Sequence, residues 1–141
     1  MSDIQGKFKK ARILTRTIDG IIVKIHEYRT MLTMGSNGAN PDRVQTTPNQ
    51  DKMGTYASMI VDLEKEANVL ADELADIKEE LSSYVNQLND FLYELVVDYY
   101  FKGKGLKEIG DKLGRDRYEL RKIAMKTIYR LEKGLNTQDI V

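Results

Sequence analysis

The residues of this chain whose type and spacing could do chemistry are mostly cations, and they crowd into one segment. Lys104, Lys107, Lys112, Arg115, Arg117, Arg121, Lys122 and Lys126 follow one another closely, with Tyr118 and Met125 among them. Ammonium and guanidinium groups in such a run can hold phosphates, and an arginine aimed at a base edge can fork onto guanine O6 and N7. No other chemistry assembles. The 141 residues include no cysteine, which excludes disulfides and thiolate metal sites. The single histidine, His26, flanks an apolar stripe and reads as a surface or boundary residue. Glu73, Asp76, Glu79 and Glu80 have helical spacing but no histidine nearby, so they read as a solvated face rather than a metal site. Gly35-Ser36-Asn37-Gly38 lacks the Lys-Ser/Thr ending of a phosphate-binding loop. No nucleophile, base and orienting group come together. The expectation is a non-enzyme with no cofactor, no metal and no small-molecule substrate.

Three elements must position the cations. Leu106, Ile109, Gly110 and Leu113 lie on one face of a short helix, and Gly110 lets a crossing helix approach closely. Gly114 is the turn. Asp116 and Glu119 then make a capping box, each side chain accepting from the other's backbone N–H, which places the start of the last helix. In that helix Leu120, Ile123, Ala124, Thr127, Ile128 and Leu131 form the inward stripe. Arg117, Tyr118, Arg121, Lys122, Met125, Lys126 and Tyr129 are left outside. Short helix, glycine turn and capped basic helix are the helix-turn-helix layout, in which the second helix enters the major groove. Lys104, Lys107 and Lys112 then fall where backbone phosphates pass, and Arg115 joins the cations expected to contact DNA.

The rest of the sequence reads as helical too. Ile4, Ala11, Ile18, Ile25 and Leu32 recur every seven residues, and Phe8, Ile22, Leu14, Ile21 and Tyr28 widen the stripe, with Gly20 as a local weakness. Met53, Ile60, Ala67, Leu74, Leu81 and Leu88 mark one heptad position, and Tyr56, Leu63, Leu70, Ile77 and Tyr84 the position three later. A repeat held that long specifies coiled-coil packing. The partner is either the first helix of the same chain or the same helix of a second chain. Both prolines, Pro41 and Pro48, lie in a polar stretch expected to be a loop over 34–50. Its segment Asp42 to Pro48 is either a connector or a contact surface. Asn89 or Asp90 can cap a further helix carrying Phe91, Leu92, Leu95, Val96 and Tyr99, ended by Lys102-Gly103-Lys104-Gly105.

The net charge is zero, yet the charge is segregated. Residues 1–50 hold eight lysines and arginines against four acids, residues 51–100 three against twelve, and residues 101–133 eleven against five. Basic Lys7, Lys9, Lys10, Arg12 and Arg16 would therefore face acidic Glu64, Glu66, Asp72, Glu73, Asp76, Glu79 and Glu80 in an antiparallel hairpin. No stretch approaches the roughly 18 apolar residues of a membrane helix, and no signal peptide opens the sequence, so a soluble cytoplasmic protein is expected.

The segments Leu106-Lys107-Glu108-Ile109-Gly110, Leu113-Gly114, Arg117-Tyr118-Glu119-Leu120-Arg121-Lys122-Ile123 and Lys126-Thr127-Ile128-Tyr129-Arg130-Leu131 resemble region 4 of bacterial sigma factors, which recognises the promoter −35 element. The resemblance implies that Arg117, Tyr118, Arg121 and Lys122 occupy base- and phosphate-reading positions. Tyr118 stands where the primary sigma pattern has an acid, and Lys122 where it has an amide. With Asp42-Arg43-Val44-Gln45-Thr46-Thr47-Pro48, Asp51-Lys52-Met53 and Asp62-Leu63-Glu64, most of the chain resembles small phage and prophage regulators of the ArpU/RinA late-activator type. That implies activation of phage late or packaging genes.

The expected architecture is all-α: a helical hairpin over residues 1–87, a helix-turn-helix module over 88–134 able to fold alone, and a frayed tail over 135–141. The expected function is sequence-specific binding of double-stranded DNA by a transcriptional regulator, with RNA polymerase as a second partner and a homo-oligomer pairing two modules on two half-sites. The competing expectations are an adaptor that binds polymerase or another regulator without specific DNA contact, and a structural coiled-coil protein.

Overall fold

The computed structural model describes residues 3–37 and 47–140. Among them five α-helices follow in order: α1 (Ile4–Asn37), α2 (Thr47–Val85), α3 (Asp90–Val96), α4 (Leu106–Leu113) and α5 (Arg117–Lys133). A π-helical stretch, Val97–Phe101, continues α3 directly. No strand occurs among the described residues, and the chain is all-α. No helix there is long and apolar enough to cross a membrane.

Both long helices run past the bounds expected for the loop. α1 continues through Gly35, Ser36 and Asn37, and α2 begins at Thr47. Pro48 falls in the first turn of α2, where its missing N–H has no intrahelical partner to lose. Asp42 to Thr46, most of the loop motif, lies outside the described residues.

The packing divides the chain into two compact units: Met1–Arg16 with Asp72–Val141, and Thr17–Ala71. The division therefore does not fall near residue 88, because the start of α1 and the end of α2 share an interior with α3 to α5. Phe8 is fully buried and stacks on Phe101 at 5.9 Å between ring centroids, with Tyr100 at 5.5 Å. Ile4, Ala11 and Leu14 of α1, Leu74, Ile77, Leu81 and Val85 of α2, and Leu92, Leu95 and Val96 of α3 are buried in the same unit. Burying a ring the size of Phe8 stabilises by about 1.5–3 kcal/mol. A fragment beginning at residue 88, expected to fold alone, would bare the surface that this ring covers.

The charge pattern is realised in part. Lys7 pairs with Glu80 and Lys10 with Glu73, as an antiparallel arrangement requires. Arg12 and Arg16 do something else. Arg12 donates to the carbonyls of Tyr99 (2.7 Å) and Lys104 (2.9 Å), and its guanidinium lies 3.8 Å from the centre of the Tyr99 ring. Arg16 donates to the Gly103 carbonyl, and the Thr15 hydroxyl to that of Phe101. These side chains satisfy the Tyr99 and Phe101 carbonyls at the end of the π-helix and those of Gly103 and Lys104 in the turn that follows, and the two cations sit at the negative end of the helix dipole. Burial lowers the Arg12 pKa, though a guanidinium remains charged. Gly103, at φ +71°, makes this approach feasible: a Cβ there would meet Thr15 Cγ2 at 3.1 Å and Arg16 Cγ at 3.2 Å. At the other end of α1's first turns, Glu132 of α5 accepts from the Gln5 backbone N–H and side-chain amide. Those two hydrogen bonds hold its carboxyl below the ordinary range.

The unit Thr17–Ala71 is two helices side by side. Ile21, Ile25 and Ile60 are buried, and Tyr28, Leu32, Leu63, Ala67 and Leu70 are half-buried around them. Tyr28 stacks on Tyr56 at 5.5 Å, and Arg29 pairs with Glu64. α1 is thus the seam partner of α2 within one chain. Ile22, expected in the apolar stripe, points to solvent, because the stripe that meets α2 follows Ile18, Ile21, Ile25 and Tyr28.

Candidate nucleic-acid interface

α4 and α5 carry the expected face, and the turn between them is built by backbone proximity. α4 ends on Gly114 in the left-handed region, at φ +67°, and the N–H groups of Gly114 and Arg115 both donate to the Gly110 carbonyl. A Cβ on Gly110 would stand 2.6 Å from the Arg115 carbonyl oxygen. The glycine is required because the turn folds back over it. Asp116 caps α5 by accepting from the N–H groups of Tyr118 and Glu119. Only half of the expected capping box forms: Glu119 accepts from Arg115 instead, at 2.8 Å. Leu120, Ile123, Ala124, Thr127, Ile128 and Leu131 are all buried, and Thr127 satisfies its hydroxyl on the Ile123 carbonyl.

The opposite side of α5 is exposed. Arg117, Tyr118, Arg121, Lys122, Met125 and Lys126 all face solvent. Among the described residues, Arg121, Lys122 and Lys126 meet no acid within ion-pair distance, so their charge is unspent. Arg117 donates to the Tyr118 hydroxyl at 3.0 Å and lies 4.9 Å from its ring centre, so these two long side chains steady each other. Tyr118, at 62% exposure, Met125 and Tyr129 form an apolar ridge beside the cations. Lys107 is exposed on α4, and Lys104 is half-buried with its backbone N–H on the Asp98 carbonyl.

Two expected contacts are occupied within the protein. Lys112 bridges Glu94 (2.8 Å) and Asp98 (3.1 Å), and Asp98 is 2% exposed. Donation to those two carboxylates holds the Lys112 ammonium above its ordinary pKa. Its work is to tie α4 to the π-helical turn and to neutralise a buried acid. Lys102 approaches the same acid at 3.6 Å. The sequence does carry a signal for this: Asp98 is a lone acid inside the apolar run Val96-Val97-Asp98-Tyr99-Tyr100-Phe101. Arg115 packs 4.8 Å from the Phe91 ring centre and pairs with Glu119, so it is half-buried rather than free.

The tail, expected to fray, is tied down. Arg130 donates to the Asn136 carbonyl and pairs with Asp139, and Thr137 is buried. Its Ile140 helps line a recess of about 430 Å³ with Arg115, Glu119, Lys122, Ile123 and Lys126. That recess, beside the exposed ridge of α5, escaped the sequence reading because nothing in Leu135 to Val141 has helical periodicity. No group of metal-binding side chains occurs among the described residues. Comparison of the chain with protein-family models, curated proteins and solved structures finds no match.

Proposed function

We propose that this chain binds double-stranded DNA, with α5 as the helix that enters the major groove, and that it regulates transcription from the site it reads. The observation that carries the reading is the two-sided character of α5. Its apolar face is fully buried, its start is capped, and Arg117, Arg121, Lys122 and Lys126 project from the exposed side of its first turns. That is the geometry in which a helix-turn-helix sets side chains against base edges. Arg121 and Arg117 are the base-reading candidates. Lys107, Lys122 and Lys126 are the phosphate contacts, which supply affinity and register without sequence information. The resemblance to sigma region 4 and to ArpU/RinA-type regulators supports the transcriptional part: activation of phage genes with RNA polymerase as partner.

Selection of bound duplexes from a random pool identifies the target. On that target, Arg121→Glu is expected to abolish retardation of the duplex while far-UV circular dichroism and thermal melting stay as in the unmodified chain. Retained binding at moderate salt would remove α5 from the reading role. Stable capture of polymerase by a chain that shows only sequence-blind, salt-labile retention on DNA would favour the adaptor instead.

A further inference from the structure

We infer that α5 reads thymine as well as guanine, with Tyr118 and Met125 set against C5-methyl groups on the floor of the major groove. The inference rests on the reading of α5 as the groove-entering helix and names the class of target it takes. At about 100° of turn per residue, Tyr118, Met125 and Tyr129 fall in one line along the middle of the exposed side of α5, opposite buried Leu120 and Thr127. Arg117 and Arg121 run along one flank of that line, and Lys122 and Lys126 along the other. The most outward-reaching line on the helix is thus apolar, and cations border it on both sides.

The flanks say what covers the ridge. Arg121, Lys122 and Lys126 meet no acid within ion-pair distance among the described residues. Free cations in two rows call for negative charge on both sides of a strip, and the two phosphate strands that border a major groove supply it. The groove floor between those strands is polar except where a thymine methyl projects. An apolar side chain set against a G·C pair strips water from O6, N7 or the cytosine amino group and returns no hydrogen bond, which costs free energy. Set against a thymine methyl, it buries apolar surface on both partners. Tyr118 is prepared for this: Arg117 donates to its hydroxyl at 3.0 Å and lies over its ring, so the side chain is steadied before DNA arrives. Arg121 lies between Tyr118 and Met125 along the axis, and those two are about 10 Å apart, or about three base pairs. Thymines are therefore expected within that span, on either side of the guanine that Arg121 reads. Tyr129 stands a turn further on, past the first turns that approach base edges.

The test uses the full chain and a duplex selected from a random pool, with each thymine replaced in turn by uracil. That change removes one methyl group and leaves base pairing intact. At one or more positions within about three base pairs of the guanine that Arg121 covers, the Kd is expected to rise about fourfold, the worth of one buried methyl. Met125→Ala and Tyr118→Ala are each expected to bind thymine and uracil duplexes alike at the position that side chain serves. Helical content should not change, because both side chains are exposed. Tyr129→Ala and Lys126→Met are expected to keep the full uracil penalty, the second while binding more weakly overall. A duplex that needs Arg121 yet tolerates uracil at every position would overturn the inference and leave α5 as the reading helix; a ridge made for a protein partner gives that result. A uracil penalty that survives both Met125→Ala and Tyr118→Ala would overturn it equally. Failure to retain any duplex would overturn the inference and the DNA-binding reading together.

Discussion

Phe8 and Ile22 lie on the same helix, two heptads apart, and they meet opposite conditions. The ring is fully buried, and the isoleucine is more than half exposed. The difference belongs to the units they serve. In one, α1 and α2 receive three further helices, and Phe8 is sealed with Tyr100 and Phe101 against its ring. In the other, the same two helices lie side by side, and among the described residues three isoleucines make its buried core. Identical periodicity in sequence thus yields a finished core or an open seam, depending on what else the chain supplies.

The largest expected effect follows from that contrast. Phe8→Ala should destabilise the chain by about 3–5 kcal/mol, whereas Ile22→Ala should stay within about 0.5 kcal/mol under conditions where the chain is monomeric, both read from urea unfolding. Equal effects at the two positions would erase the distinction. Two glycines sharpen it. Gly110→Ala drives a methyl toward the Arg115 carbonyl and should cost about 1–3 kcal/mol. Gly20→Ala meets nothing within 4 Å and should stabilise α1 by about 0.5–1 kcal/mol, seen as a rise in melting temperature.

Acid probes the tie between α1 and α5. Because Glu132 has its pKa lowered in the folded chain, its contribution is present above the ordinary carboxylate pKa of about 4.3 and fades as pH falls through and below it. Glu132→Gln should flatten that acid limb of the melting curve. The smallest effect separates two lysines of one helix. Lys107→Met should reduce the salt slope of DNA binding by about 0.9 and leave melting alone. Lys112→Met should lower the melting temperature and leave the slope unchanged, since its charge is already matched by Glu94 and Asp98.

Much of this was legible beforehand where a residue's surroundings are its own neighbours in sequence. The Asp116 cap, the Gly114 turn, the buried stripe Leu120 to Leu131 and the exposed basic residues of α5 depend on local geometry and period, and they stand as expected. So does Asn89, which caps α3 by accepting from the Leu92 N–H. What local pattern cannot carry is long-range partnership. Arg12, Thr15 and Arg16 look like one more basic patch, and only the fold brings them to the carbonyls of Tyr99 to Lys104. Lys112 and Arg115 carry the same charge as Lys107, and only packing against Asp98 and Phe91 takes them out of the free set. The tail departs from expectation for the same reason, since Arg130 holds it through Asn136 and Asp139, groups with no periodicity of their own.

The central claim is that α5 meets base edges in the major groove. Dimethyl sulfate methylates guanine N7, which lies in that groove, so protection on a selected duplex tests the claim directly. The account predicts protected guanines with the unmodified chain and loss of that protection at one position with Arg121→Gln. Full N7 reactivity under a saturated duplex, or protection that Arg121→Gln leaves untouched, would contradict it.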